Sequence, residues 1–362
     1  MRKPASFLYS SSSPTTFSVT LLSGFAMKLA LIISISALGA LSLMCCSSSG
    51  TKPATEAAAE AAADTVSVPY FSADSAYAHI AAQLAFGPRI PGTEAHARCA
   101  EYLTARLREY GADAQQWRKN FTDFKGNSFD IVNIVAHINP KAERRILLAA
   151  HWDSRRWADE DPDPAKHETP VDGANDGASG VAVILEMART MSAHNPAVGI
   201  DILLTDAEDS GVSAPESVTD PMEILRYENS WCLGTQQWLA SDPFAGRTRP
   251  EFGILLDMVG ASGAVFPREY FSMRSASHVV DKIQRAARRA GTAERFPSRS
   301  GGAINDDHVH FNGYGIPTAD VIDLRQDGFF PQWHTADDKL KHIDRTTLDA
   351  VGRTILDLIY HE

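Results

Sequence analysis

Residues 145–154, with the sequence RILLAAHWDS, decide the fold of this chain. An unbroken apolar run follows Arg145, and His151 and Asp153 come directly after it. Short continuous apolar runs are typical of strands that are buried on both faces of a sheet. In parallel sheets covered by helices, ligand sites form beyond the carboxyl ends of the strands. The stretch therefore predicts a buried strand that delivers polar side chains to a functional edge.

Four other segments share this strand-like pattern, and helical patterns lie between and around them. The predicted strands are residues 131–138, 145–150, 200–205, 253–256 and 318–322. The predicted helices are residues 72–86, 93–110, 178–192, 232–240, 279–290 and 345–361. Strands that alternate with helices indicate an α/β fold. We therefore expect a single domain with a mostly parallel, central twisted β-sheet covered by helices on both faces.

The N-terminal part of the chain is predicted to be an export signal. Residues 1–26 are an upstream extension, and residues 27–46 resemble a bacterial lipoprotein signal peptide, with Met27 and Lys28 ahead of an apolar run that ends at two cysteines. Cys45 or Cys46 is the predicted lipidation site. The alternative is a single membrane anchor, but residues 29–44 are fewer than the ~20 that a bilayer-spanning helix needs.

Both interpretations place the protein outside the cytoplasm, and the lipid anchor places it in the periplasm or at the outer membrane. Residues 47–67 are rich in Ala and Glu and lack bulky apolar side chains except near their end, so we expect a flexible linker there. Residues 68–362 are then the catalytic domain.

The net charge limits the possible binding partners of the protein, and the cysteine content limits its possible disulfide bonds. The formal net charge of −11 excludes a nucleic-acid-binding surface, because phosphate contacts need clustered Lys and Arg. In the folded part only Cys99 and Cys232 remain. An oxidising compartment permits them to pair, and two buried thiols are the alternative.

Acidic residues and histidines follow the predicted strands, and together they have the chemistry of a metal site. A catalytic zinc ion takes imidazole nitrogen and carboxylate oxygen from three protein ligands and keeps one position open. Asp176, Asp209 and His334 supply that set from three separate loops. Glu208 lies beside a ligand without being one, which leaves its carboxylate free to act as a general acid/base.

The order of the motifs HWDS, GANDGASG, DAED, LLDMVG, NDDHVHF and QWHTADD resembles the zinc exopeptidase superfamily of bacterial aminopeptidases and glutaminyl cyclases. The resemblance extends over residues 72–361. It implies a catalytic zinc at Asp176, Asp209 and His334 and an acid/base role for Glu208. In the two-zinc peptidases of this superfamily, the positions of His151 and Asp257 complete a second metal site, and the cyclases also keep a His and an Asp there.

Asp306 favours the cyclase branch, because cyclases join the first Asp of the DDH run to the residue at Asp257 by a short hydrogen bond. Asp257 and Asp306 are thus predicted catalytic residues that hold the substrate amide. Trp333, Phe330 and Asp320 are predicted to line the substrate pocket, although animal cyclases have a histidine at the last position. Animal cyclases also have Glu at Asp209, and residues 210–229 are an insertion without their pocket tryptophan.

The resemblance therefore implies a lipid-anchored glutaminyl cyclase that uses one zinc ion and acts on peptides or proteins with an N-terminal glutamine. A two-zinc aminopeptidase is the main alternative. A binding protein that has lost catalysis is disfavoured, because Glu208 and all three ligands are present. The sequence makes no prediction about the oligomeric state.

Overall fold

A computed structural model describes residues 66–362. The predicted extension, the signal peptide with Cys45 and Cys46, and nearly all of the predicted linker lie outside the described residues. Within residues 66–362, none of the helices combines the length and the apolar character needed to cross a bilayer.

A six-stranded sheet forms the centre of the domain, with the strand order β1-β2-β4-β3-β5-β6. Strands β4, β3, β5 and β6 are mutually parallel, whereas β1 and β2 add two antiparallel pairings at one edge. The prediction of a mostly parallel α/β sheet is confirmed for the half that carries the functional edge. The strands are β1 (Asp113–Thr122), β2 (Ser128–Ile138), β3 (Arg145–His151), β4 (Gly199–Thr205), β5 (Phe252–Asp257) and β6 (Thr318–Ile322).

All six predicted helices are present, and two further α-helices were missed. The observed α6 begins at Tyr270 rather than at residue 279. The missed helices, α4 and α7, bury few apolar side chains, so they lack a clear apolar period: α4 has no buried residue, and Phe311 is the buried apolar residue of α7. The helices are α1 (Ala73–Leu84), α2 (Glu94–Glu109), α3 (Ala178–Ala193), α4 (Pro221–Glu228), α5 (Leu233–Leu239), α6 (Tyr270–Ala290), α7 (Asp307–Tyr314) and α8 (Arg345–Tyr360).

The side chains of β3 show why helices cover both faces of the sheet. Ile146 and Leu148 belong to a large hydrophobic cluster that includes residues of α1, α2, α3, α6 and α8. Leu147 and Ala149 belong to a smaller cluster on the other face, together with residues of α5 and α7. Successive strand residues point to opposite faces, so an unbroken apolar run buries both.

The carboxyl ends of the parallel strands gather polar residues at one edge, as predicted. His151 ends β3, Asp257 ends β5, and Asp206 directly follows β4. Helix α3 begins at the same edge after Gly177, whose φ of 92° is a conformation that glycine adopts readily. A Cβ at Gly180 would lie 2.1 Å from the backbone oxygen of Leu256, so α3 approaches β5 as closely as the missing side chain allows.

We expect Gly180→Ala to lower the free energy of unfolding by about 2 kcal/mol or more, because the added methyl group collides with backbone that has little room to move. Gly313→Ala is the matched control, since this helical glycine has no atom within 4 Å of an added Cβ. We expect the control to change stability by less than about 1 kcal/mol, toward greater stability. Urea denaturation measures both, and equal effects of the two variants would contradict the close approach of α3.

Candidate active site

The three predicted metal ligands, Asp176, Asp209 and His334, lie together in the structure. His334 Nε2 lies 3.0 Å from Asp209 Oδ1 and 3.6 Å from Asp176 Oδ2. All three side chains are buried. They come from the loop before α3, the loop after β4 and the loop after β6, so the sheet edge brings together residues that are distant in the chain.

Two unsatisfied oxygens make this cluster fit a metal ion. Asp176 Oδ2 and Asp209 Oδ2 are buried and have no hydrogen-bond partner. A buried carboxylate oxygen without a partner is costly, and a cation removes that cost. One imidazole nitrogen and two carboxylates are the donor set of a catalytic zinc site. The residues present therefore fit the metal that the sequence predicts.

Neighbouring groups shift the pKa values of Asp176 and Asp209 in opposite directions. Burial and the neighbouring Asp209 raise the pKa of Asp176 above its usual range. Burial would also raise the pKa of Asp209, but the charge and hydrogen bond of His334 outweigh it and hold that pKa well below its usual range. His334 therefore favours the ionised form of Asp209.

His151 and Asp257, the predicted second-metal residues, lie on the other side of Asp176. His151 Nε2 lies 3.0 Å from Asp176 Oδ1 and 3.2 Å from Asp257 Oδ1. One ligand atom each from His151, Asp176 and Asp209 lie within 4.8 Å of one another. Asp176 thus directs one oxygen toward His151 and the other toward His334, so the cluster has room for histidine ligands on both sides.

Glu208 is the predicted general acid/base. Its side chain is 12% exposed, and Oε2 lies 3.9 Å from His151 Nδ1. One ligand atom each from Glu208, Cys232 and Asp306 lie within 4.8 Å of one another. Burial and the neighbouring Asp209 raise the pKa of Glu208 well above its usual range. Glu208 is therefore a mostly buried carboxyl group beside the metal ligands, as its predicted role requires.

Asp306 and Asp320 form a second buried acidic group behind Glu208. Asp306 Oδ2 and both carboxyl oxygens of Asp320 lack hydrogen-bond partners. Burial and the neighbouring Asp257 raise the pKa of Asp306 well above its usual range, and burial and Asp306 do the same for Asp320. A raised pKa favours the protonated form of Asp306, which could donate a hydrogen bond to a neighbouring carboxylate. The hydrogen bond to Asp257 stays a prediction.

The pocket aromatics differ from one another in their exposure. Trp333 is partly buried, stacks on the ring of His334 at 3.8 Å and lies 4.6 Å from the ring of Phe329. Phe330 is only 2% exposed and packs in a cluster with Met258, Ala261, Ile322 and Leu324. Trp333 packs against the same cluster, and the predicted place of Phe330 in the substrate pocket stays a prediction. Asp320 is buried as well, next to Asp306 and His308.

Trp231, which the sequence offers as a core residue or a pocket wall, lies near the predicted ligand His334. Its ring lies parallel to the ring of His334 at 6.1 Å, and the guanidinium of Arg155 lies 4.7 Å from its centre. Arg155 also donates to Asp159, whose Oδ1 lies 3.6 Å from His334 Nδ1. The local sequence signal for this contact with His334 was Arg155, which directly follows the HWDS motif.

The loop after β4 is held by Asp153, the aspartate of the HWDS motif. Its carboxylate accepts hydrogen bonds from the backbone N–H groups of Glu208 and Asp209, each at 3.2 Å. Burial raises the pKa of Asp153 to about 6. Asp153 therefore sets the position of both functional residues of this loop through their backbone.

The loop before α3 is held by two buried side chains that sequence reasoning did not assign. Asp338, at the end of the QWHTADD motif, accepts from the backbone N–H of Asp176 at 3.0 Å. Arg89 is fully buried and donates to the backbone oxygens of Trp152 and Gly173. Asp338 and Arg89 thus join three loops around the metal ligand Asp176.

Cys99 and Cys232 are both free and buried. Burial raises the pKa of the Cys99 thiol to about 12. Burial and the carboxyl group of Glu208 raise the pKa of the Cys232 thiol well above its usual range. Of the two alternatives that the sequence left open, the structure contains the buried thiols and not the disulfide.

Comparisons with known proteins agree with the resemblance inferred from the motifs. Residues 133–359 match the model of peptidase family M28. The chain is 47% identical to Tannerella forsythia glutaminyl cyclase, with a TM-score of 0.75, covering 81% of this chain and 100% of that structure. It is 42% identical to a leucine aminopeptidase precursor from Bacteroides thetaiotaomicron, with a TM-score of 0.77, covering 82% and 100%.

A more distant relative is also named for the cyclase activity. The chain is 26% identical over 292 residues to the glutaminyl-peptide cyclotransferase of Bos taurus, covering 74% of this chain and 76% of that protein. Proteins named for each of the two alternative activities are therefore similar to this chain.

We expect His334→Ala to retain less than about a tenth of the bound zinc after dialysis, because one of three protein ligands is removed. Glu208→Gln should keep the metal, since its carboxyl group lies beside the ligand set and outside it. His278→Ala, an exposed histidine of α6, is the control. Elemental analysis of the purified proteins measures the metal. Full zinc content in His334→Ala, or its loss in Glu208→Gln, would show that the ligands are misassigned.

Proposed function

The chain belongs to peptidase family M28, and we propose that it is a zinc-dependent glutaminyl cyclase that converts the N-terminal glutamine of peptides to pyroglutamate and releases ammonia. The observation that carries this proposal is the buried Asp306, which has an unsatisfied oxygen, has its pKa raised by burial and by the charge of Asp257, and lies close to Glu208. Cyclisation needs groups that hold the leaving amide nitrogen as well as one that transfers a proton.

Asp176, Asp209 and His334 would hold the zinc ion, and the bound ion supplies Lewis-acid polarisation of the side-chain amide oxygen. The bond that forms joins the α-amine nitrogen to the γ-carbonyl carbon, and the bond that breaks releases the amide nitrogen. Glu208 accepts a proton from the attacking amine and delivers it to the departing ammonia. A general acid/base of this kind contributes about 10²–10⁴-fold to the rate.

Asp257 and Asp306 orient the substrate amide by accepting from its N–H groups. The nucleophile and the electrophile belong to one glutamine residue, so the main task of the site is to fold that side chain back on the amine. Trp333 provides an apolar wall that limits competition by water. Phe330 stabilises that wall from the core.

A two-ion aminopeptidase is the second candidate function. The observation that favours it is the position of Asp176 between His151 and His334, with His151 also 3.2 Å from Asp257. Glu208 would then act as the base for water in the hydrolysis of an N-terminal residue. This candidate leaves the buried, unsatisfied Oδ2 of Asp306 without a role, and it is therefore placed second.

We expect purified protein to release ammonia from the dipeptide Gln-Phe and no free leucine from Leu-Phe. Glu208→Gln should release ammonia at least ~100-fold more slowly while its zinc content stays unchanged, the usual scale for losing a general acid/base. Free leucine from Leu-Phe would establish the aminopeptidase instead. No product from either peptide would show that the protein is not an enzyme of either class.

The proposal includes export and a lipid anchor at Cys45 or Cys46. We expect the full chain, expressed in a Gram-negative host, to incorporate labelled palmitate and to enter the detergent phase in a partition experiment. The double variant Cys45→Ser/Cys46→Ser should lose the label, and Cys99→Ser should keep it, because its thiol is buried in the folded domain. A label that persists in the double variant would rule out this anchor.

A further inference from the structure

Cys232 precedes helix α5 in an unusual backbone conformation. Its φ of 54° is in the left-handed region, which costs free energy for a residue other than glycine. It occupies the N-cap position but makes no side-chain hydrogen bond to the helix. Helices usually have Ser, Thr, Asp or Asn at this position because the side chain caps the first turn. The thiol of Cys232 is therefore directed elsewhere.

The thiol is directed at Glu208. Cys232 Sγ lies 3.5 Å from Glu208 Oε1, with the thiol as the donor, and Cys232 is fully buried. The other carboxyl oxygen, Oε2, lies 3.9 Å from His151 Nδ1. The two oxygens of the proposed general acid/base are thus in different surroundings, and Oε1 is the one that accepts a hydrogen bond from the thiol.

Backbone hydrogen bonds fix the position of Cys232 relative to Glu208. The N–H of Cys232 donates to the backbone oxygen of Glu208 at 3.0 Å, and the N–H of Leu233 donates to that of Ala207 at 3.1 Å. Gly234 continues the contact, and a Cβ there would lie 2.1 Å from the backbone oxygen of Asp206. The position of Sγ relative to Glu208 is therefore set by packed backbone.

We propose that Cys232 is a positioning residue that holds Glu208 Oε1 through its S–H group and so leaves Oε2 to exchange protons with the substrate. This inference rests on the proposed acid/base role of Glu208. A carboxylate that is held at one oxygen loses less rotational freedom when the reaction begins, so more of its population is in the reactive geometry.

A nucleophilic or metal-binding role of Cys232 does not fit the same observations. Both roles need the thiolate. The thiol lies within 4.8 Å of carboxyl oxygens of Glu208 and Asp306, and it is fully buried. Burial, followed by these carboxyl groups, keeps the pKa of the thiol well above its usual range, so the sulfur retains its proton and acts as a donor.

The test compares kcat and KM for ammonia release from Gln-Phe in four proteins: wild type, Cys232→Ala, Cys232→Ser and Cys99→Ala. A thiol is a weak donor, so we expect its loss in Cys232→Ala to lower kcat by only about 10-fold. KM should stay within about twofold, because the thiol does not contact substrate. Cys232→Ser retains a donor and should keep kcat within about threefold of wild type.

Cys99→Ala is the matched control, because this thiol is also buried but its charged neighbour is Arg89 and not Glu208. Its kcat should equal that of wild type. In a Glu208→Gln background, Cys232→Ala should cause no further loss, since the two residues act as one unit. Zinc content and thermal unfolding are measured for every variant.

The outcomes separate this inference from the proposed function. Wild-type protein that releases no ammonia overturns the proposed function. Active wild type with an unchanged kcat in a folded, zinc-loaded Cys232→Ala overturns the positioning role, and so does an equal loss in the Glu208→Gln background. If Cys232→Ala does not fold, Cys232→Ser decides: a loss of more than about 10-fold at normal zinc content overturns the role, and retained kcat supports it.

Discussion

The burial of several carboxyl groups within a few ångströms of one another is the constraint on which the rest of the structure depends. Ionised carboxylates repel each other strongly where water is excluded, so each one needs a proton, an opposite charge or hydrogen-bond donors. Asp153 has backbone donors, Asp209 has His334, and the pKa of Asp306 is raised so that it retains a proton. Asp176 Oδ2 has no such partner, and the proposed metal ion would satisfy it.

The same constraint explains the rigidity of the loops. A buried carboxylate that accepts from backbone N–H groups ties its own loop to another, as Asp153 does for the loop after β4 and Asp338 does for the loop before α3. Arg89 contributes a buried positive charge that contacts backbone oxygens of two of these loops. The functional residues are therefore placed through their backbone, which limits the freedom of their side chains before a substrate binds.

Proteins similar to this chain are named for two different activities. Asp176 faces a histidine with each oxygen, which suits a bridged pair of ions, whereas the buried acids behind Glu208, whose pKa values are raised, suit the handling of an amide nitrogen. Asp257 would hold a second ion together with His151 in the first case, and the amide nitrogen together with Asp306 in the second. The partner of Asp257 therefore distinguishes the two proposed functions.

The sequence by itself determined the α/β fold, five of the six strands and the convergence of Asp176, Asp209 and His334, because apolar runs and strand-end motifs are local patterns. It missed β1, whose residues are largely polar and exposed at the sheet edge. Tertiary structure alone decided the loop supports Asp338 and Arg89, the free state of Cys99 and Cys232, and the contact between Cys232 and Glu208. These features depend on distances between segments that are far apart in the chain, and no local pattern encodes such distances.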